Sequence, residues 1–136
     1  MRIFRLIFIV SFISILVACS VEPEPINFGE DYCVYCKMTI SDPKYGAELV
    51  TSKGRVYKFD AIECLIPYMK DNAESEFSHV MAIAYDKPKN LKNVDSLYFV
   101  QNDHFKSPMG KNLAAFTNQP KEFESINWKQ LQNTFY

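Results

Sequence analysis

The 136 residues carry 15 basic and 16 acidic side chains, a net charge of −1. That balance leaves no basic surface for a nucleic acid, and the length fits one small domain. Eleven Phe and eight Tyr are enough apolar material for a core of that size.

In chain order, Arg2 and Arg5 precede an apolar run from Leu6 to Val17. The run suits a signal h-region and is shorter than the roughly 20 residues a spanning helix needs. It ends in Leu16-Val17-Ala18-Cys19, which resembles the bacterial lipobox, with Cys19 as the acylated first residue of the mature chain. Residues 1–18 are therefore expected to be a lipoprotein signal peptide. Losing Arg2 and Arg5 with it takes the net charge from −1 to −3. Ser20, rather than Asp, after the cysteine favours the outer membrane by resemblance to proteobacterial lipoproteins. Residues 19–30, with Pro23, Pro25 and three acidic side chains, read as an extended tether.

The domain is expected over 31–136. Cys33 to Met38 forms a loop or knuckle, followed by turn residues Ser41 to Lys44. Ala47 to Thr51 and Val56 to Phe59 read as strands joined by a hairpin at Ser52-Lys53-Gly54. Asp60 and Glu63 have capping-box spacing before a helix that buries Ile62, Leu65, Ile66 and Met69 and runs to about Asn72. Pro67 should kink it. His79 to Tyr85 and Leu97 to Val100 read as strands, and Asp86 to Asp95 between them as a loop. Asn102 to Pro108 is a turn region, Asn112 to Phe116 reads as a short helical segment, and Asn127 could cap a last helix. The class is α+β, two strand–strand–helix units sharing one core.

Chemistry concentrates in Cys33-Val34-Tyr35-Cys36-Lys37-Met38. With Cys19 acylated, Cys33, Cys36 and Cys64 remain, an odd number for an exported chain. An oxidising compartment makes such a cluster a disulfide, a redox centre or a metal site. Lys37 excludes c-type haem, which needs histidine after the second cysteine. A thioredoxin-like pair belongs at a helix N-terminus after a strand, which is not where this motif lies. Zinc needs four ligands, and Cys33, Cys36 and Cys64 with His79 or His104 supply no second paired knuckle. A plain Cys33–Cys36 disulfide stays open. Cu(I) takes two or three soft ligands and accounts for Met38 as well. Extended backbone would put the Cys36 and Met38 side chains on one face.

These residues resemble the NosL family of copper-binding lipoproteins that accompany nitrous oxide reductase. The resemblance is carried by Cys19, by Asp31-x-Cys33-x-x-Cys36-x-Met38, by Phe59-Asp60-x-Ile62-x-Cys64-Leu65 with Tyr68, and by Met109-Gly110 and Ala115-Phe116. It implies the α+β fold of two strand–strand–helix halves. It also implies a chaperone, not an enzyme, that passes Cu(I) to a copper enzyme or its assembly transporter. Cys36 and Met38 are then the leading ligands, Met109 the third, Cys33 an auxiliary ligand or a disulfide partner, and His104 a further candidate. Cys64 reads as a buried helix cysteine, and His79 as structural. The chain is shorter at its C-terminus than NosL relatives. The alternatives are a thiol–disulfide oxidoreductase using Cys33 and Cys36, and a structural zinc- or disulfide-stapled lipoprotein.

Overall fold

The computed structural model describes residues 21–135; the expected signal peptide and Cys19 lie outside them. β1 (Ala47–Thr51) and β2 (Val56–Phe59) form the expected hairpin, with Gly54 at φ +79° closing the turn. α1 (Ile62–Asp71) follows, then β3 (Phe77–Ala84) and β4 (Lys87–Asn93). A 3₁₀ turn at Val94–Ser96 leads to β5 (Tyr98–Gln101), β6 (Leu113–Phe116) and α2 (Trp128–Thr134). The antiparallel order β2-β1-β3-β4 makes one sheet, and β5-β6 a second, two-stranded one. The α+β class is as expected. The strand–strand–helix units are β1–β2–α1 and β5–β6–α2, with β3 and β4 completing the first sheet. Among the described residues no helix is long and apolar enough to cross a membrane.

Three local expectations are corrected. The stretch read as a loop at 86–95 contains β4, whose exposed KPKNLKN has almost no apolar alternation. Its lysines and Pro88 suit a sheet edge, where charge blocks further pairing. Asn112 to Phe116, read as helical, supplies β6 instead. Its Leu-Ala-Ala-Phe pairs with β5, and Ala115 O accepts from Tyr85 N at 2.7 Å, so the ladder overrides alanine's helix preference. Asp60 does not cap α1. Ala61 is the N-cap, with no side-chain cap bond, and the Asp60 carboxyl is buried with Oδ1 unpartnered. Asn127 caps α2 as expected, and does so in a capping box with Gln130.

Alternation along β1 sends Ala47 and Leu49 into the main core with Phe59, Leu65 and Ala82. Glu48 and Val50 face the other way, yet both are fully buried. Part of the cover is the segment before the domain. Val21 O lies 3.0 Å from His79 Nε2, Glu24 N donates to Glu48 Oε1 at 2.9 Å, and Pro25 O accepts from Lys58 Nζ at 2.9 Å. Residues 21–26, expected within the tether, thus run across β3, β1 and β2. Ile26 ends the strap inside the core, its Cδ1 against the space above Gly46. Ile26→Ala should therefore lower stability by about 2–5 kcal/mol, the usual loss for a truncated core isoleucine. Denaturant unfolding measures this, and an unchanged midpoint would mean the strap does not hold.

Candidate metal centre

The knuckle is a tight loop between Tyr32 and Thr39, which bridge one another. Cys33 N donates to Met38 O and Lys37 N to Cys33 O, at 2.9 and 3.0 Å. The loop closes only because Lys37 adopts φ +66°, a left-handed conformation unusual for a side chain with a Cβ. Two bonds hold the knuckle to β2: Val34 N to Lys58 O at 3.0 Å, and the Lys58–Asp31 ion pair at 2.8 Å. Burial opposes ionisation of Asp31, but the Lys58 ammonium and the Asn27 amide together outweigh it and hold the carboxyl below its usual range. The aspartate two residues before Cys33 therefore fastens the knuckle to the sheet.

This closure turns backbone amides toward sulfur. Cys36 N approaches Cys33 Sγ at 3.5 Å, and the Met38 amide faces Cys36 sulfur. The first turn of α1 then brings in Cys64. The sulfur atoms of Cys33, Cys36 and Cys64 all lie within 4.8 Å of one another, and all three cysteines are free. Three sulfurs around one ion at about 2.3 Å stand roughly 4 Å apart. Closing on an ion therefore asks for shifts of an ångström or less. Among the described residues no histidine or carboxylate joins the group.

The three thiols are not equivalent. A hydrogen bond from the Cys64 thiol, opposed by burial and helped by the amides of Asp60, Cys36 and Tyr35, brings Cys33 down to about 5. Giving that bond raises Cys64, with burial and the neighbouring negative charge acting the same way. Burial also raises Cys36. Of the three thiols, Cys33 is thus the one its surroundings drive toward the thiolate. Three sulfur donors suit a low-coordinate soft ion, whereas zinc asks for four ligands. Cys33 and Cys64 are fully buried, and only Cys36 reaches the surface. A redox-active pair needs an accessible low-pKa thiol. Here the accessible thiol is raised, the ionised one is buried, and no helix starts at the motif.

Met38 and Met109 keep 47 % and 37 % of their surface exposed, unusual for apolar side chains. The extended backbone that was to align Cys36 with Met38 is absent, because Lys37 is left-handed. Met109 sits on the loop between β5 and β6, beside Gly110 at φ +75°. His104 packs on the rings of Phe105 and Phe123, with centroids 5.2 and 5.9 Å away. His79 is structural, as expected, bonded to the strap. Cys64, read chiefly as a buried helix cysteine and joined to the knuckle cysteines only in the zinc alternative, stands in the sulfur group. The available signal was its position in the first turn after β2, the strand to which Val34 and Asp31 are tied.

The model of the NosL family matches residues 25–124, which include all three cysteines, Met38 and Met109. The chain belongs to the NosL family. Its fold is similar to the crystal structure of the copper chaperone NosL from Shewanella denitrificans, with a TM-score of 0.67 at 17 % identity. The alignment covers 82 % of this chain and 96 % of that one. At that identity the likeness speaks for the NosL fold. No curated protein sequence matches the chain.

Proposed function

We propose that this NosL-family protein is a Cu(I) chaperone, tethered through acylated Cys19 in the cell envelope, on the outer membrane. It would deliver copper to an extracytoplasmic cuproenzyme, nitrous oxide reductase or its assembly transporter. The observation that carries the reading is the group of three sulfurs, of which only half-buried Cys36 reaches the surface, with no hard ligand among the described residues. Membership of the NosL family and the likeness to a copper chaperone support it.

Copper is cargo in this scheme. Cys33 supplies the charge, Cys36 and Cys64 complete a sulfur floor, and Met38 and Met109 add neutral thioethers at the exposed rim. Cu(I) is satisfied by two or three of these at a time. An acceptor's soft ligand reaches the ion beside Cys36, replaces one sulfur, and draws the ion out stepwise. Cys36 and Cys64 give up their thiol protons to water as they bind the ion and take them back as it leaves. No other covalent bond changes, so the protein is a carrier and not an enzyme.

Anaerobic titration of Cu(I) against a chromogenic chelator tests the site. Cys36→Ser and Met38→Ala should each weaken binding, Cys36→Ser by more than about a hundredfold, since even residues that merely support a ligand commonly change metal affinity 10–100-fold. Unchanged affinity in both variants would place copper elsewhere. Reductase and transporter genes beside this one would support the proposed recipient.

A further inference from the structure

We propose that Glu63 is a positioning residue for copper holding: it ties the loop that carries Met109 to the first turn of α1, one residue before Cys64. The inference rests on the reading of Met109 as a copper ligand.

Glu63 is only 5 % exposed, an expensive place for a carboxyl on a helix that otherwise buries Ile62, Cys64, Leu65 and Ile66. Its partners all come from one loop. Oε1 accepts from Ser107 Oγ and from Leu113 N at 3.2 Å, and Oε2 from Lys111 N at 3.4 Å. Ser107 Oγ in turn accepts from Asn112 N at 2.9 Å. Ser107 and Leu113 are the buried ends of this loop, while Met109, Gly110 and Lys111 between them are exposed.

Met109 therefore gains little from packing of its own side chain. Its place is set by how the loop's ends are held, and both ends are bonded to Glu63. The loop turns tightly, with Gly110 N bonded to Ser107 O at 3.0 Å and Gly110 and Asn112 both at positive φ. Few other arrangements keep those ends in place. The sequence pattern suggested that Glu63 would cap its own helix. In the structure it looks outward and fixes a thioether-bearing loop to the helix that bears a thiol.

The test is a double-mutant cycle on Cu(I) affinity, measured by anaerobic chelator competition on the folded chain, with amide hydrogen exchange alongside. Glu63→Gln removes the charge and one acceptor at nearly constant volume. It should weaken Cu(I) binding about tenfold, as loss of supporting partners does, and speed exchange of the amides from 107 to 113. Met109→Ala should weaken binding comparably, and the double variant no further than Met109→Ala alone. Losses that add in full, or a Glu63→Gln chain with parental affinity beside a weakened Met109→Ala, overturn the inference and leave the copper reading standing. Parental affinity in Met109→Ala removes Met109 from the ligand set and the inference with it. If Glu63→Gln does not fold, Ser107→Ala takes its place in the cycle, with the same outcomes.

Discussion

Cys64→Ser is expected to weaken Cu(I) binding by more than about a hundredfold, as much as Cys36→Ser, although Cys64 never reaches solvent. The reasoning is geometric. Cys64 sulfur lies within 4.8 Å of both knuckle sulfurs, and its thiol donates to Cys33. Serine removes a candidate ligand, while its hydroxyl can still donate to Cys33. Cys64→Ala donates nothing, so there the Cys33 thiol should also titrate at higher pH in the folded, copper-free chain, which thiolate ultraviolet absorbance against pH would show. A cysteine that merely fills the core behaves differently. Its serine variant would lose stability through a buried hydroxyl but bind copper as the parent does. Affinity and melting measured together separate the two roles.

The second large effect is a pH dependence centred on Glu48. Its carboxyl is fully buried under the strap, with Oε1 bonded to Glu24 N and Oε2 unpartnered. Burial pushes it up to about 7 from 4.5; the Glu24 amide and Lys58 pull the other way, and the charges of Glu24 and Asp31 add to the rise. Between about 4.5 and 7 the folded chain thus binds a proton that the unfolded chain has released. Stability at this site is fully present below that window and declines as pH rises through it, by a total on the order of 2–3 kcal/mol. Asp60, raised to about 6 by burial and by Cys33, acts in the same direction, while the lowered Cys33 acts in the opposite one. The parent's curve alone mixes these contributions. Glu48→Gln keeps an acceptor for Glu24 N and cannot ionise. Its stability relative to the parent should rise steadily from pH 4.5 to pH 8 in denaturant unfolding. A gap between the two that does not change with pH would contradict the assignment.

Much of the fold was legible because the local signals agree with the tertiary ones. The β1–β2 hairpin had alternating apolar residues and Gly54 where a positive φ is needed. α1 had Ile62, Leu65 and Ile66 at helical spacing, and Pro67 did not end it. The failures occur where long-range pairing decides. Leu113 to Phe116 is an acceptable helix fragment until β5 offers it a ladder. β4 has no pattern of its own and exists because β3 needs a partner. Asp60 and Glu63 spell a capping box, but tertiary contacts claim both side chains: one is buried close to Cys33, the other bonded to the Met109 loop.

The site divides in the same way. Cys33 and Cys36 announce themselves by spacing, and the soft character of the cluster follows from residue type alone. The role of Cys64 required knowing that the knuckle is fastened to β2 through Asp31, Lys58 and Val34, so that the helix after β2 starts beneath it. Expecting Cys36 and Met38 on one face assumed extended backbone, which the left-handed Lys37 removes. The inequality of the thiols depends on amide directions and burial, which no spacing rule records.

Copper K-edge X-ray absorption of the reduced chain loaded with one equivalent of Cu(I) would show directly whether the cysteine sulfurs hold the ion. The predicted result is a low-coordinate ion with a shell of sulfur, reduced by one sulfur in Cys64→Ser. A shell of nitrogen or oxygen, unchanged in that variant, would mean that the three cysteines do not hold copper.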